Sequence, residues 1–487
     1  MILLDPRVEV SRVIPNLPAR LWRDSGSRLD SCLRRNDNRD ASVGELNPKE
    51  RLTIYMKIQS IHAYEIISSG GTPSLEVKVE LNSGTVGIAS VPYGASAGSF
   101  EAYVLFDGDK ARYKGKGMFK AVANINEKIA PELVGQDADD QRSIDGKMSI
   151  LDGTENKSNL GGNAILGASL AVAHATANEH KLPLYQWIRK SFDLKITDFR
   201  LPNPMIVSIE GGKHADNSTD LQEYLLSPIG NISVRENIRM GIETYFNLKE
   251  ILAENNYSTN VGNEGAFAPD GIVNNEKPLQ MMFEAITRTG LTPGKDIGLS
   301  IDAAANEFFK NDMYHLNVEN RQVSAPELMT YFETWLQKYP ILTVEDMLAE
   351  DAWADWTIFN TITQKYGISN IGDDLTVTNT KRLQKAIDAK AITAILIKLN
   401  QIGTLTETVD CCTLAREHGM MTVPSHRGGG ETNDTSMVDL AVALNSGFIK
   451  VGPTRGERVS KYNRLLEIER ELGDKAKPMG NAFNQIF

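Results

Sequence analysis

The hydrophobic and polar positions of the chain become regular only from Met56 onward. Between Ile58 and Val79, apolar residues alternate with polar ones on both sides of turn-forming residues 68–73, which predicts a β-hairpin. Helical periodicity then follows in three segments, Phe119–Ile129, Asp140–Ser149 and Gly162–His180. Residues 56–195 are therefore predicted to form a small α+β domain.

A second repeating pattern occurs within residues 196–487, where short β-rich segments each end in a charged or titratable residue. The segments are Ile297–Asp302, Ile341–Glu345, Ile371–Asp373, Ala394–Lys398, Met421–His426 and Gly447–Lys450. Their ends are 24 to 43 residues apart, and helical sequence fills the gaps. One strand, loop and helix occupy about that length, so the predicted fold class is α/β, with an N-terminal cap domain followed by a (β/α)8-like barrel.

The first 55 residues lack this regularity and are predicted to be a disordered extension. Their arginines are interrupted by aspartates, and no apolar segment follows the charges, so neither a transit peptide nor a signal peptide is predicted. One hypothesis is that Met56 is the functional start of the protein. An intact mass of the native protein that includes residue 1 would contradict it.

Composition narrows the class of protein. The formal net charge of −11 argues against sequence-independent binding to nucleic acid or to anionic lipid. The three cysteines, Cys32, Cys411 and Cys412, form no C-x-x-C motif, which predicts a reducing compartment such as the cytoplasm. The adjacent pair Cys411 and Cys412 falls in a helix-like segment and is predicted to be buried free thiols. The longest apolar stretch, Ala164–Ala177, is too short to cross a bilayer, so we expect a buried helix and no membrane partner.

The residue types at the strand ends indicate a chemistry. Three carboxylates come first, and two lysines and a histidine follow: Asp302, Glu345, Asp373, Lys398, His426 and Lys450. Polar residues at the C-terminal ends of barrel strands meet at one mouth. Three carboxylates there repel one another unless a cation lies among them, and oxygen ligands without cysteine indicate a hard ion, Mg²⁺ before Mn²⁺ or Zn²⁺.

The two lysines are expected to lie opposite this metal, across the substrate, because a protonated ammonium group cannot share the ion. A lysine held near cations has a depressed pKa, so we expect one of the two lysines to act as a base that removes a proton beside a carboxylate. The metal would neutralise the enediolate that forms.

Each candidate also has a simpler structural interpretation. A single lysine at a strand end is usually solvated, and His214 and His426 taken singly are more often hydrogen-bonded structural histidines. Asp373–Asp374 is consistent with a helix N-cap, Glu223 with a buried ion pair, and Ser96 with an ordinary turn. Only the arrangement of all of them together favours a functional site.

Seven motifs carry a resemblance to a known family. They are Val91–Gly98, Gly211–Asp216 with Gln222–Glu223, Gly262–Pro269, Val344–Asp346, Gly372–Thr378, Lys398–Thr404 and Ser425–Arg427. In this order they resemble enolase from Met56 to about Leu472. The resemblance implies an enolase-type barrel and a glycolytic carbon–oxygen lyase that dehydrates 2-phosphoglycerate to phosphoenolpyruvate.

The resemblance also implies catalytic roles. Lys398 would take the C2 proton, and Glu264 would protonate the leaving hydroxide with help from Glu223. His214 and His426 also belong to the implied catalytic set.

Further residues are implied to hold the substrate and the metal. The substrate contacts would come from His214, Glu223, Lys398, Ser425, His426, Arg427 and Lys450, with His214 and Arg427 towards the phosphate. Two Mg²⁺ ions are implied for each site. Asp302, Glu345 and Asp373 would bind the first, and Ser96 would bind the one that arrives with the substrate.

The sequence departs from the family at several positions. The changed residues are Tyr93 and Ala97 for a serine and a threonine, Glu210 and Lys213 for an asparagine and a serine, Asn263 for an aspartate, and Gly428 for a serine, with one residue inserted. Glu210 and Lys213 are interpreted as a new charge pair near His214. The changes put phosphate affinity in question more than proton transfer.

The implied homodimer contact is altered as well. Glu76 matches a glutamate that the family pairs with an arginine of the neighbouring subunit, but the position of that arginine is Glu467, and Gly70 replaces another arginine. A homo-oligomer is still expected, with a weakened or different dimer.

Three functions stay open from the sequence. The first is a working enolase, the second is a diverged enolase-superfamily lyase acting on another carboxylate, and the third is a non-catalytic binding protein of the same fold. Retention of Lys398 and Glu264 favours the first.

Overall fold

The computed structural model describes residues 56–94 and 100–483. The extension at residues 1–55, with its predicted disorder and the hypothesis of a start at Met56, lies outside the described residues. Ser96, the implied ligand of the second Mg²⁺, lies outside them as well, together with the rest of residues 95–99.

Strands and α-helices make up most of the described residues. The strands are β1 (Ile58–Ile67), β2 (Pro73–Leu81), β3 (Val86–Val91), β4 (Tyr93–Gly94), β5 (Phe199–Leu201), β6 (Asn203–Glu210), β7 (Glu223–Pro228), β8 (Ile297–Asp302), β9 (Phe309–Lys310), β10 (Met313–Leu316), β11 (Arg321–Val323), β12 (Ile341–Glu345), β13 (Ser369–Gly372), β14 (Ala394–Ile397), β15 (Met421–Pro424), β16 (Gly429–Gly430), β17 (Phe448–Val451) and β18 (Ala476–Pro478). The α-helices are α1 (Phe119–Asn124), α2 (Ala130–Leu133), α3 (Gln141–Asp152), α4 (Gly162–Glu179), α5 (Leu184–Ser191), α6 (Val234–Glu254), α7 (Lys277–Arg288), α8 (Ala325–Lys338), α9 (Trp353–Lys365), α10 (Thr380–Ala389), α11 (Leu399–Ile402), α12 (Leu405–Glu417), α13 (Ser436–Ala443) and α14 (Gly456–Leu472).

The cap is a three-stranded antiparallel sheet covered by α4. The predicted hairpin is confirmed, since β1 pairs with β2 and β2 pairs with β3. Gly87 allows the helix to approach, because a Cβ atom there would lie 2.1 Å from the backbone nitrogen of Ala175. The helix is buried along most of its length, as its small apolar residues predict. Among the described residues, no helix is long and apolar enough to span a membrane.

The remaining core is a nearly closed sheet of eight strands, in the order β15-β14-β13-β12-β8-β7-β6-β17. A bridge between Ser425 and Lys450 and a hydrogen bond from His426 N to Lys450 O (3.2 Å) join its two edges. The α/β fold class is confirmed, and so is each of the six predicted strands. The first two barrel strands, β6 and β7, were not predicted, and β7 is antiparallel to both of its neighbours.

Local sequence signals set several helix boundaries. Thr404 begins α12 by accepting the N–H of Glu407 at 3.1 Å, and Ser324 with Glu327 forms a capping box at the start of α8. Helix α3 ends at Gly153, whose φ of 69° favours glycine. Helix α12 carries Cys411 and Cys412, which are buried free thiols as predicted.

The buried Asp145 side chain joins the cap to the barrel and gives a prediction about pH. Its carboxyl group accepts the N–H of Thr406 at 2.9 Å, and burial raises its pKa to about 6 from an ordinary 3.8. A raised carboxyl pKa contributes stability that is complete below about pH 4 and is lost as pH rises through 6. Asp145→Asn is therefore expected to raise the free energy of unfolding at pH 8 by up to roughly 3 kcal/mol.

Urea unfolding of both proteins at pH 4.5 and pH 8 measures this effect, with the exposed Asp193→Asn as the control. A stability difference that is the same at both pH values would show that ionisation of Asp145 is not its cause.

Candidate active site

A cavity opens at the carboxyl end of the barrel strands. Its lining includes Glu101, His214, Gln222, Glu223, Glu264, Asp302, Glu307, Asp346, Asp373, Asp374, Lys398, Ser425, His426, Arg427, Gly428 and Lys450. All described residues of the predicted site line it except Glu345, which lies beside it in contact with Lys450. The strand ends thus bring the candidates to one mouth.

Four carboxyl groups form a row across adjacent strands at this mouth. The strand register pairs Glu210 with Glu223, Glu223 with Asp302, and Asp302 with Glu345. Because β7 is antiparallel, its first residue, Glu223, lies beside the last residues of the strands next to it. All four side chains are buried, so any negative charge on them needs a nearby partner.

Lys450 supplies positive charge to three of them. Its Nζ lies 2.7 Å from Asp302 Oδ2 and 2.9 Å from oxygens of both Glu345 and Glu223. Burial opposes the charged form, but these carboxylates outweigh it and raise the pKa of Lys450 well above its usual value. Lys450 therefore contacts these carboxyl groups directly instead of facing them across a substrate, and the contact agrees with the simpler interpretation of Glu223 as the partner of a buried cation.

Lys398 forms an ion pair with Asp373 at the ends of β14 and β13. Burial alone would lower the pKa of Lys398, but the Asp373 carboxylate outweighs burial and raises it. The predicted depression of this pKa is therefore wrong for the ion-paired state. Gln401 donates to the other oxygen of Asp373 at 2.7 Å, so both oxygens of this carboxylate are engaged.

Glu264 lies between two histidines. His426 Nε2 is 3.2 Å from Glu264 Oε2, and His214 Nδ1 is 3.6 Å from Oε1 of the same carboxyl group. Burial lowers the pKa of both histidines, and burial together with the charge of Glu264 raises the pKa of Glu223 well above its usual value. Burial opposes the charge of Glu264, but the neighbouring histidines outweigh burial and lower the pKa of Glu264. Within this cluster the proton that an acid catalyst requires is therefore held by Glu223 and not by Glu264.

Arg427 forms a buried ion pair with Glu101. Its Nη1 and Nη2 atoms donate to the two oxygens of Glu101 at 3.0 and 3.2 Å, and Nη1 also donates to Asn400. Burial opposes the charge of this guanidinium, but Glu101 outweighs burial and raises its pKa. Ser425 donates its hydroxyl to the carbonyl oxygen of His426 at 3.0 Å.

Two family models match the chain in the order cap then barrel. The model for "Enolase, N-terminal domain" matches residues 58–188, and the model for "Enolase, C-terminal TIM barrel domain" matches residues 198–486. The chain belongs to the enolase family. Enolases are lyase-type enzymes, and members of the family typically bind Mg²⁺.

The acidic residues fit such an ion by their chemistry. Carboxylate oxygens of Asp346, Asp373 and Asp374 lie within 4.8 Å of one another, and hard cations prefer oxygen ligands. Burial and neighbouring carboxylates raise the pKa of Glu345, Asp346 and Asp374 well above their usual values, so the mouth is short of positive charge. The assignment of Asp302, Glu345 and Asp373 as the ligands stays a prediction.

The inserted glycine run lies where the cap meets the barrel. Gly429–Gly430 pairs with Tyr93–Gly94 as a two-residue antiparallel sheet. The Tyr93 hydroxyl contacts Thr72, and its ring leaves no room for a side chain at Gly430. The substitution of tyrosine at position 93 and the inserted glycine are therefore in direct contact.

Other departures also differ from their interpretation. Glu210 and Lys213 do not form a charge pair, because Glu210 is buried against the backbone near Glu264 while Lys213 extends outward to Glu307 at 2.5 Å. The N-cap of α10 is Asn379, so the alternative interpretation of Asp373–Asp374 as an N-cap is wrong.

Sequence reasoning did not select four further carboxyl groups that line the cavity, those of Glu101, Glu307, Asp346 and Asp374. Asp346 accepts the N–H groups of Asp373 at 3.0 Å and of Asp374 at 2.7 Å, so it orders the loop that carries them. Its position directly after Glu345 was a usable signal. Glu101 comes from the cap, and no signal in the sequence connects it to Arg427.

Proposed function

We propose that this enolase-family protein is a glycolytic enolase, which reversibly removes water from 2-phosphoglycerate to give phosphoenolpyruvate. The placement of Lys398 and Glu264 carries the proposal. Lys398 directly follows β14, and the backbone of Glu264 is hydrogen-bonded to Glu210, the last residue of β6. Two strands, β15 and β17, lie between β14 and β6 in the barrel. A base and an acid are thus available at different sides of one buried cavity.

The chain's own groups account for the proton transfers. Lys398 takes the proton from C2, and its release from Asp373 must come first, because an ion-paired ammonium group cannot accept a proton. The electron pair of the C–H bond first passes into the substrate carboxylate to give an enediolate, and it forms the C2–C3 double bond when the C3 hydroxyl leaves. Glu264 receives a proton from Glu223 and gives it to the departing C3 hydroxyl, so the products are phosphoenolpyruvate and water.

The remaining residues bind and orient the substrate. Lys450 and His426 would bind its carboxylate, and His214, Arg427 and Ser425 would bind the phosphate end. When bound, Mg²⁺ held by Asp302, Glu345 and Asp373 would offset the charge that develops on the substrate carboxylate. Burial of the cavity walls strengthens each of these contacts.

A second candidate function is supported by the phosphate side. Arg427 donates to Glu101, and Gly428 has no hydroxyl group, so two positions that would bind the phosphate differ from what phosphate binding needs. An enolase-superfamily lyase acting on a different carboxylate would need no phosphate contacts and would use the same base and acid. A non-catalytic binding protein is the third candidate.

One assay separates the three candidates. Phosphoenolpyruvate formation from 2-phosphoglycerate is followed with Mg²⁺, with EDTA, and after Mg²⁺ is restored. We expect turnover that EDTA abolishes and Mg²⁺ restores. Proton exchange at the α-carbon of other hydroxy acids without phosphoenolpyruvate formation would support the second candidate, and absence of both reactions would support the third.

Gly428→Ala is expected to lower kcat about 100-fold, because displacing catalytic groups by an ångström has effects of that size. A Cβ atom at this position would lie 2.5 Å from His214 Nε2 and 2.7 Å from Glu264 Oε1. Steady-state kinetics with 2-phosphoglycerate measure the change. Gly456→Ala is the control, since a Cβ atom there meets nothing within 4 Å. Unchanged kcat in Gly428→Ala would mean that the contact between Gly428 and the acid is not needed.

We also propose a homodimer weaker than that of the family. Glu467 is 54% exposed and pairs with Arg464 of its own chain at 2.8 Å, so it presents negative charge where the family presents an arginine to Glu76. Glu467→Arg is expected to tighten dimerisation about 10-fold, as one repulsion becomes an attraction. Sedimentation equilibrium measures the dissociation constant, and a constant unaffected by the substitution would show that the dimer uses another surface.

A further inference from the structure

Glu210 is a buried carboxyl group whose hydrogen bonds go to the backbone that carries Glu264. It is the last residue of β6 and has no exposed surface. Its Oε1 accepts the N–H of Glu264 at 3.2 Å and the N–H of Ala266 at 3.1 Å, and Oε2 is 3.2 Å from the same Glu264 nitrogen. One side chain therefore holds both amides that flank the tip of this turn.

Gly262 makes this contact possible. A Cβ atom on Gly262 would lie 2.5 Å from Glu210 Cδ and 2.7 Å from its Oε1, so any larger residue would push the carboxyl group out of place. The turn also includes Gly265, whose φ of 83° favours glycine. Two glycines thus shape the turn around the Glu210 side chain.

Other residues hold the carbonyl groups of the same turn. Thr454 and Tyr245 donate to Gly265 O at 2.7 and 3.0 Å, and Arg455 donates to Asn263 O at 3.1 Å. Among the described residues, Glu210 is the only one that accepts hydrogen bonds from the backbone N–H groups of Glu264 and Ala266. Its removal would leave two buried N–H groups without their acceptor.

We propose that Glu210 is a positioning residue that fixes the turn carrying Glu264, so that the Glu264 carboxyl group faces the reacting hydroxyl. This inference rests on the proposed enolase function and extends it to a position where the family has asparagine. An asparagine side chain is one methylene shorter and offers a single acceptor oxygen, so it cannot make the same contacts from this strand position.

A metal site is a competing interpretation of the same residues. Ligand atoms of Glu210, His214 and Glu264 lie within 4.8 Å of one another. Both oxygens of Glu210 already face backbone N–H groups, however, and the group is therefore engaged in holding the turn. Burial and the charge of Glu264 raise the pKa of Glu210 to about 9, so it is neutral at pH 7 and accepts the two amides through Oε1.

The stepwise chemistry allows a sharp test. Lys398 exchanges the C2 proton with solvent, whereas loss of the hydroxyl needs Glu264. In the full chain with Mg²⁺ and 2-phosphoglycerate, Glu210→Ala is expected to lower kcat for phosphoenolpyruvate formation about 10- to 100-fold. KM and the rate of C2 exchange in D₂O, followed by NMR, are expected to stay within about threefold, because the base stands on a different strand.

Two matched variants separate geometry from charge. Glu210→Gln keeps the acceptor oxygen and the side-chain length of the neutral carboxyl group, and it is expected to retain kcat within about threefold. Glu319→Gln is the control outside the cavity, since Glu319 also accepts a backbone N–H, that of Asn275 at 3.0 Å. Unchanged kcat in Glu210→Ala, equal losses of exchange and dehydration, or a Gln variant as slow as the Ala variant would overturn the assignment.

An independent readout does not need activity. Amide hydrogen exchange of the peptide that covers residues 262–266 is expected to rise at least 10-fold in Glu210→Ala and to stay unchanged in Glu210→Gln. Unaltered protection in the Ala variant would reject the positioning role. An inactive parent protein would instead reject the proposed enolase function, and protection of this peptide would then decide the role of Glu210 alone.

Discussion

Lys398→Ala is expected to abolish the formation of phosphoenolpyruvate, with kcat reduced about 10³- to 10⁴-fold, the upper part of the range for loss of a general base. The alanine methyl group cannot accept the C2 proton, and no other amine of the described residues stands at this strand end. Exchange of the C2 hydrogen with D₂O should be lost together with dehydration, since both begin with the same proton transfer.

The control for this variant is Lys195→Ala, because Lys195 is 80% exposed and only pairs with Asp193. Circular dichroism and the thermal midpoint establish that the Lys398 variant is folded. A Lys398→Ala protein that still exchanges the C2 hydrogen would show that another group is the base. Full turnover would reject the proton-transfer scheme as a whole.

Lys450→Met is expected to lower the free energy of unfolding at pH 8 by roughly 3–5 kcal/mol, the usual cost of leaving buried charges without their partner. Methionine fills a similar volume but leaves Asp302, Glu345 and Glu223 without the cation that all three contact. Denaturant unfolding measures the loss, and turnover should disappear as well.

The pH dependence identifies the cause of that loss. Burial already raises the pKa of Glu223 and Glu345, and removal of the ammonium group raises both further. Carboxyl groups with raised pKa values contribute stability at low pH and lose it as pH rises. The deficit of Lys450→Met relative to the parent should therefore shrink towards pH 5. A deficit that is constant from pH 5 to 8 would point to lost packing instead, and Lys195→Met serves as the exposed control.

The parallel part of the barrel could be predicted because each strand–helix unit repeats at a similar spacing and ends in a polar residue. Strands β6 and β7 break both conditions. Strand β6 is buried along its whole length, so it shows no alternation of polar and apolar residues. Strand β7 runs in the opposite direction and carries its polar residue, Glu223, at its start, where a search of strand ends does not look.

The sequence could predict which residues line the cavity, but not which of their side chains contact one another. Strand ends define which side chains reach the mouth, while the long side chain of Lys450 can turn towards any neighbour within its reach. Burial of several carboxylates decides which neighbours the lysine contacts. Leaving a buried charge unpaired costs more free energy than holding the lysine side chain in the one conformation that reaches it. The Glu210 contact depends in the same way on a glycine 52 residues further along the chain.

The contact between the cap hairpin and the glycine run limits how this protein can exchange parts with its relatives. Ser69 donates its N–H to Glu431 O and its hydroxyl to Gly429 O, both at 2.8 Å, and a Cβ atom at Gly70 would lie 2.9 Å from that same Gly429 oxygen. A chimera carrying a relative's hairpin, with arginine in place of Gly70, would collide with the barrel of this protein. The hairpin turn and residues 428–431 therefore have to come from the same parent protein in any chimera. A chimera that takes them from different parents should be insoluble.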